Sequence, residues 1–276
     1  MPDAEVSTGM VHNMFTMDRS LEGKISIATG ASRGIGRGIA LRLASQGSQI
    51  VLCARDVPAL NGVVSEIEQS GGTAASIPLD LRAPDSGARL VDFAIKRFGR
   101  IDLVVNNAGA TKRGEFQELT DPDFEDGFAL KYFGAVRITR AAWPHLKASR
   151  GSAIFIGGVG GRTPGAQFAI GGSVNAALLS LTKALADLGV RDAVQVNAIN
   201  PGTIRTARYT ARLNALASER GLDAEAAERE YVLKAGVTRI GEPADIAALV
   251  AFVAGPEGRF LQGALIDMDG GATKTI

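Results

Sequence analysis

The chain has 276 residues, with 30 lysines and arginines against 29 aspartates and glutamates, a formal net charge of +1 at pH 7. A charge balance this close to neutral gives no reason to expect nucleic acid or an anionic membrane as a partner. The single cysteine, Cys53, excludes an intrachain disulfide and a multi-cysteine zinc site. The two histidines, His12 and His145, lie far apart in sequence, so we expect no metal centre.

The N-terminal segment has neither the basic start nor the apolar run of a signal peptide. No uninterrupted apolar run approaches the roughly 20 residues that cross a membrane. We interpret residues 1–20 as a flexible arm or an oligomer contact and residues 21–276 as one domain, because no linker or composition shift divides the chain. The predicted compartment is the cytoplasm.

Short β-rich segments alternate with helix-length amphipathic stretches along the chain. In chain order the prediction is strand 24–28, helix 35–43, strand 49–53, helix 56–70, strand 74–79, helix 84–98, strand 101–106, helix 121–148, strand 152–156, helix 176–188, strand 194–200 and strand 264–268. Apolar strands that alternate with helices are typical of a parallel sheet covered on both faces. With right-handed crossovers, this pattern predicts a doubly wound Rossmann-type α/β fold.

A glycine-rich turn, residues 29–36, joins the first predicted strand to the first predicted helix and contains Gly30, Gly34 and Gly36. Glycines let the backbone approach a pyrophosphate closely, and a helix start points N–H groups and a positive dipole end at phosphate charge. A tight turn without a ligand is the alternative interpretation. The position between strand and helix favours a dinucleotide site.

Four further segments, together with this turn, resemble the short-chain dehydrogenase/reductase family over residues 21–272. They are the pair 80–81, the Asn-Asn-Ala-Gly run 106–109, the Pro-Gly turn 200–204 and the Asp-Gly-Gly turn 269–271. Asn106 and Asp269 also fit a purely structural role at a strand end and a turn. The resemblance implies a nicotinamide dinucleotide cofactor bound by Gly30, Ser32, Arg33, Gly34, Ile35, Gly36, Asp80, Leu81, Asn107, Ala108, Gly109, Pro201, Gly202, Thr203 and Ile204.

The residues at the end of the second predicted strand indicate whether the cofactor is NAD(H) or NADP(H). An acidic residue there would bind the ribose hydroxyls of NAD, but the chain has the small, neutral Ala54 followed by Arg55. Arg33 stands in the glycine turn, and two guanidinium groups can clamp a 2′-phosphate. We therefore predict NADP(H) over NAD(H), with Arg55 as a ligand; a surface pair between Arg55 and Asp56 is the alternative.

The family's usual chemistry relies on a tyrosine acid/base and a lysine four residues later, and both are missing here. In one register the tyrosine and lysine places fall on Ile170 and Val174. In a second register, two residues earlier, they fall on Phe168 and Gly172. Neither register supplies a phenol or an amine.

The family's serine and its helical asparagine are missing as well. The serine place falls on Gly157 or Gly158, and the asparagine place falls on Lys131. We hypothesise that Lys131 is a replacement catalytic group, because an ammonium there can polarise a carbonyl oxygen. A surface or interface lysine is the alternative. Further polar candidates are Thr163, Gln167, Ser173, Tyr209 and Tyr231.

The favoured function is an oxidoreductase that acts on a carbonyl or a secondary alcohol with a non-standard proton donor. The alternative is an NADP(H)-binding protein without turnover, as a regulatory or structural subunit; a lyase or isomerase has no positive support. The charged helical insertion 203–241 follows a strand end and is predicted to be a lid over a small-molecule substrate. The resemblance also implies a homo-oligomer, either a tetramer or a dimer.

Overall fold

The computed structural model describes residues 19–275. The arm predicted for residues 1–20 falls almost wholly outside the described residues, and so does His12.

The described chain contains seven strands in one parallel sheet. They are β1 (Ile25–Thr29), β2 (Gln49–Ala54), β3 (Ala74–Pro78), β4 (Leu103–Asn106), β5 (Ser152–Ile156), β6 (Gln195–Pro201) and β7 (Leu265–Met268). Their order across the sheet is β3-β2-β1-β4-β5-β6-β7, and every neighbouring pair is parallel. All seven predicted strands are found, to within a few residues at each end.

Helices cover both faces of the sheet. They are α1 (Gly34–Ser45), α2 (Val57–Gln69), α3 (Ser86–Phe98), α4 (Asp121–Gly127), α5 (Gly134–Ser149), α6 (Ala169–Asp192), α7 (Ala207–Arg220), α8 (Ala224–Ala235) and α9 (Pro243–Ala254). Ile39 of α1 and Ile246 of α9 belong to the core on one face, whereas Ile138 of α5 and Leu178 of α6 belong to the core on the other. The predicted doubly wound Rossmann-type fold is confirmed.

Three helices differ from the prediction. Helix α6 runs from Ala169 to Asp192, beyond both ends of the predicted 176–188. The single helix predicted over 121–148 is interrupted by a π-helical segment, Phe128–Phe133, which joins α4 to α5. Helix α9 was not predicted, although its start carries a capping box in which Glu242 and Asp245 each accept from the other's backbone N–H. Its almost uniformly apolar sequence hides the helical period, because it is packed on the core along most of its length.

Residues 166–192, which include α6, are long and apolar enough to cross a membrane by length and composition alone. The central helix of a sheet-covered core meets the same criteria. Ile170, Val174 and Leu178 of α6 are at most 1 % exposed inside this fold. The burial of these side chains accounts for the apolar composition.

The predicted insertion 203–241 contains helices α7 and α8. The two helices share a small core of their own, formed by Tyr209, Leu213, Ala217, Ala227 and Ile240. This separate core lets the insertion hold its shape while it stands beside the carboxyl end of β6.

Candidate active site

The loops that follow β1, β4, β5 and β6 meet at the carboxyl edge of the sheet, beyond Thr29, Asn106, Ile156 and Pro201. Ligands of open α/β sheets bind at this edge.

The glycine turn after β1 is bonded to the loop after β4. The hydroxyl oxygen of Thr29 accepts from the backbone N–H groups of Asn107 and Ala108, at 2.9 Å and 3.0 Å. A Cβ atom on Gly30 would lie 2.9 Å from the Ala108 Cα, and one on Gly36 would lie 2.2 Å from the carbonyl oxygen of Gly30. Both positions therefore require glycine, because their neighbours are backbone atoms.

The rest of the turn remains accessible. Ser32 and Ile35 are half-buried and Arg33 is exposed. Helix α1 starts at Gly34 with no side-chain hydrogen bond at its cap, so its first N–H groups have no intrahelical partners and can receive an anion. A Cβ on Gly34 would lie 3.3 Å from the methyl group of Thr206, which brings the insertion against the turn.

At the end of β2, the Arg55 guanidinium lies 3.8 Å from an oxygen of Asp80 and its side chain is 66 % exposed. Asp56 caps α2 instead, where its carboxylate accepts from the Ala59 N–H at 3.1 Å. Arg55 therefore pairs with Asp80 rather than with Asp56. Leu81, next along the chain, is buried.

The Pro-Gly turn after β6 lies on the other side of this edge. A Cβ on Gly202 would lie 2.7 Å from the Cα of Asp269, so the turn is held tightly against the C-terminal loop. The hydroxyl groups of Thr203 and Tyr231 are 2.8 Å apart, which ties the turn to α8. Ile204 is buried beside them.

Lys131 lies in the π-helical segment and reaches the centre of this edge. Its Nζ donates to the carbonyl oxygen of Gly157 at 2.8 Å and to Oδ1 of Asn175 at 2.6 Å. Its stem lies against Gly109, where a Cβ atom would be 2.8 Å from the lysine Cδ. Burial, followed by the positive charge of Arg208, lowers the pKa of Lys131 to about 8. Lys131 is therefore an enclosed amine rather than the surface lysine of the alternative interpretation.

The sequence placed Lys131 beside Val174 and Gly172, but its amine contacts Asn175, one residue later. Ile170 and Val174 are fully buried. A Cβ on Gly127 would lie 2.6 Å from Ile170, so these side chains fill the contact between α4 and α6. Neither alignment register of the sequence analysis assigned Asn175 to the tyrosine place or to the lysine place. The only signal in the sequence for Asn175 was one amide within an apolar helix.

Neighbouring side chains leave no room for a side chain at either of the two glycines at the serine place. A Cβ on Gly157 would lie 2.5 Å from Oδ1 of Asn200, and one on Gly158 would lie 2.8 Å from Nδ2 of Asn175. Asn200 is itself fixed, because its Nδ2 donates to Asp267 at 2.8 Å. Two asparagine side chains thus occupy the space that a larger residue at these places would need.

Four of the five remaining polar candidates have hydrogen-bond partners of their own. Ser173 is exposed, Thr163 donates to the carbonyl oxygen of Val159, Gln167 donates to Glu115, and Tyr209 donates to Glu228. Burial, followed by the hydrogen bond to Glu228, raises the pKa of Tyr209 to about 12. Among the tyrosine candidates, Tyr231 is the one bonded to a predicted cofactor residue, Thr203.

Residues 19–275 contain no group of three or more His, Cys, Asp or Glu side chains that could hold a metal ion. Cys53 lies in β2 and is buried, and burial raises the pKa of its thiol to about 12. The thiol is therefore chemically inert near neutral pH.

Known proteins are similar to this chain over most of its length. Residues 30–273 match the family model described as enoyl-(acyl carrier protein) reductase. An uncharacterized oxidoreductase of Mycobacterium tuberculosis is 35 % identical over 266 residues, which is 96 % of each chain.

Two solved structures are similar over nearly their whole length. L-Sorbose reductase of Gluconobacter frateurii, in complex with NADPH and L-sorbose, has a TM-score of 0.90 at 28 % identity, and the match covers 94 % of this chain and 100 % of that one. A short chain dehydrogenase of Burkholderia cenocepacia, in complex with NADP, has a TM-score of 0.79 at 31 % identity over 92 % of this chain and 99 % of that one.

Proposed function

Since this chain belongs to the short-chain dehydrogenase/reductase family of oxidoreductases, we propose that it uses NADP(H) to interconvert a carbonyl group and a secondary alcohol. We further propose that Lys131 takes the part of the missing phenol. The observation that carries the proposal is the enclosed amine of Lys131, with a pKa lowered to about 8, at the ligand-binding edge of the sheet.

The residues around the glycine turn fit a dinucleotide. Gly30 and Gly36 have no side chains that would keep a pyrophosphate away from the backbone. The first N–H groups of α1 have no intrahelical partners, so they can bind its negative charge. The two similar solved structures that contain NADPH or NADP support the same assignment.

Selection of NADP(H) over NAD(H) is assigned to Arg33 and Arg55. Both side chains are exposed, and β2 ends in Ala54 rather than in a carboxylate that would repel a 2′-phosphate. Arg55 is close enough to Asp80 to be held loosely, at 3.8 Å, while it remains free to turn toward a phosphate.

When bound, the reduced cofactor supplies a hydride to the carbonyl carbon. Lys131 donates a proton to the carbonyl oxygen, so that a C–H bond and an O–H bond form as the C=O double bond becomes single. An ammonium has three N–H donors, and two of those of Lys131 point at Gly157 and Asn175. The third is available to a substrate oxygen. A pKa of about 8 lets the group give up and regain a proton near neutral pH, where general acid–base catalysis works best.

Asn175 acts as a positioning residue for Lys131. Its Oδ1 receives the amine at 2.6 Å, and as a neutral acceptor it holds the ammonium in place without raising its pKa as strongly as a carboxylate would. Lys131 on the π-helical segment is thus the proton donor, and Asn175 on α6 holds its amine in position.

The test is NADPH consumption with a panel of ketones, measured for the unaltered chain, for Lys131→Met and for the matched control Lys96→Met. Lys96 is an exposed residue near the end of α3, away from the site. We expect Lys131→Met to lower kcat by about 10²–10⁴-fold, the usual contribution of a positioned acid. NADPH affinity, measured by fluorescence titration, should be unchanged in both variants.

Unchanged turnover in Lys131→Met would remove Lys131 from the mechanism. Tight NADPH binding with no consumption for any ketone would favour the alternative, a cofactor-binding protein without turnover. The predicted cytoplasmic location and the homo-oligomer remain predictions, the latter open to sedimentation measurements.

A further inference from the structure

The insertion 203–241 contains six arginines, and they fall into two groups. Four of them pair with carboxylates. The pairs are Arg205 with Glu228 and Glu242, Arg220 with Glu230, Arg229 with Glu225, and Arg239 with Asp245. The charges of each pair neutralise one another, although Glu242 and Asp245 lie just after the insertion.

The other two, Arg208 and Arg212, are four residues apart on α7 and therefore lie on one face of that helix. Within residues 19–275 neither forms a salt bridge with a carboxylate. Arg113, from the loop after β4, likewise has no carboxylate partner in the described chain. The nearby Glu115 accepts a hydrogen bond from Gln167 instead.

Of these three arginines, Arg208 lies close to Lys131, whose pKa its positive charge lowers. Arg208 Nη2 lies 3.4 Å from the carbonyl oxygen of Gly109, the residue against which the stem of Lys131 lies. The Arg212 guanidinium is 5.9 Å from the ring centre of Tyr231, whose hydroxyl is bonded to Thr203.

Arg113 closes the group from the opposite loop. Its guanidinium is 4.0 Å from the ring centre of Phe168, just before α6. Partial burial, followed by the positive charges of Arg212 and Arg208, lowers the pKa of Arg113, so the three guanidinium groups are close enough to repel one another. Like charges held together without a counter-charge are unfavourable, and a bound anion relieves that cost.

We propose that the substrate carries an anionic group, a carboxylate or a phosphate monoester, which is bound by Arg113, Arg208 and Arg212. The inference rests on the proposed function, because it assumes that the carbonyl of the same molecule faces Lys131. It goes beyond that function in assigning a substrate class and the three residues that select it.

The cofactor's phosphates are a competing source of negative charge. The groups assigned to them are the N-terminus of α1, Arg33 and Arg55, whereas the three arginines here are grouped around Gly109, Phe168 and Tyr231. Measuring the cofactor and the substrate separately distinguishes the two possibilities.

The experiment is calorimetric titration of the full chain, with and without the oxidised cofactor NADP⁺, which cannot reduce a ketone, using two matched pairs of ketones. One pair is levulinate and its methyl ester; the other is dihydroxyacetone phosphate and dihydroxyacetone. We expect the anionic member of at least one pair to bind about tenfold or more tightly than its neutral partner, as for a well-formed charge-assisted contact. The pair that shows the preference identifies the anion as a carboxylate or a phosphate.

The same titrations are made with Arg113→Gln and Arg212→Gln, and with the control Arg229→Gln, whose partner Glu225 lies on the exposed side of α8. Either of the first two variants should lose about tenfold in affinity for the anionic member, and the control should lose none. NADPH affinity should be the same in all four proteins, and thermal melting should verify that each is folded.

Equal affinity for both members of both pairs, absence of binding by either anion, or an anion preference that survives in both variants would overturn the inference. A loss of NADPH affinity in Arg113→Gln and Arg212→Gln would also overturn it, by assigning the arginines to the cofactor. Anion-selective binding without NADPH consumption would instead count against the proposed function alone.

Discussion

The glycine turn after β1 and the surroundings of Lys131 lie at the same edge of the sheet, yet they follow the family's pattern to very different extents. Around the turn, Thr29, Gly30 and Gly36 are fixed by contacts with backbone atoms. Around Lys131, a glycine stands where the family has a serine, and neither aligned register supplies the family's tyrosine or lysine. Binding a pyrophosphate requires a close backbone approach that only glycine allows, whereas a proton can be delivered by any group with a suitable pKa in reach. The second region can therefore change its residues while the first cannot.

The strongest challenge to this comparison is Gly36→Ala. The added methyl group would lie 2.2 Å from the carbonyl oxygen of Gly30, so the turn must open. We expect NADPH affinity to fall about 100- to 1000-fold, or about 3–4 kcal/mol.

The matched control is Gly62→Ala in α2, where a Cβ atom meets nothing within 4 Å. It should leave NADPH affinity unchanged and raise the free energy of unfolding by about 0.5–1 kcal/mol, because alanine favours a helix more than glycine does. Fluorescence titration and urea unfolding measure the two effects. Tight NADPH binding by Gly36→Ala would show that the turn is not constrained as argued.

A second prediction concerns the cost of enclosing Lys131. Its pKa falls from an ordinary 10.5 to about 8 in the folded chain, so between these values the unfolded chain binds more protons. Stability must therefore rise with pH across this window, relative to a variant without the amine. Between pH 8 and pH 10.5, we expect the free energy of unfolding of the unaltered chain to rise by about 2.5 kcal/mol more than that of Lys131→Met. Urea unfolding at several pH values measures the difference, and parallel curves for the two proteins would contradict the burial of a charged amine.

The third prediction tests the other end of the cofactor cleft. Arg55→Ala should weaken NADPH binding about tenfold and leave NADH binding unchanged, because only NADPH carries the 2′-phosphate. Arg100→Ala is a suitable control, since Arg100 pairs with Asp102, just before β4. Equal losses for both cofactors would remove Arg55 from the choice between them.

The smallest expected effect comes from Asn175→Asp. A carboxylate in place of the amide oxygen, 2.6 Å from Nζ, stabilises the ammonium form and raises the pKa of Lys131. The pH at which the reduction rate falls by half should move upward by about one unit. Asn61→Asp on α2 controls for an added charge, and an unmoved profile in Asn175→Asp would separate Lys131 from the proton step.

The sequence predicted the fold well because the fold depends on local patterns, and a pattern of the same kind led to the prediction of the cofactor site. Buried parallel strands are apolar throughout, and the glycine turn stands between a strand and a helix in the sequence itself. Helix α9 was missed for the opposite reason, since its burial removes the polar face that reveals a helical period.

The region around Lys131 depends on contacts between residues that are distant in sequence. A local sequence pattern does not contain such contacts. Lys131 and Asn175 meet through the packing of the π-helical segment against α6. Nothing in the sequence marked the interruption at Phe128–Phe133. Arg113 and Arg212 are likewise brought together by the insertion, nearly one hundred residues later in the chain.

The state of Cys53 has a practical consequence for following movements of the insertion. It is the sole sulfhydryl of the chain, and its burial leaves it beyond the reach of maleimide dyes at neutral pH. A cysteine introduced by Glu219→Cys, at an exposed position on α7, would then carry a fluorophore at one defined place without removing any native residue from the core. The emission of that dye would test whether this part of the chain moves as ligands arrive and leave.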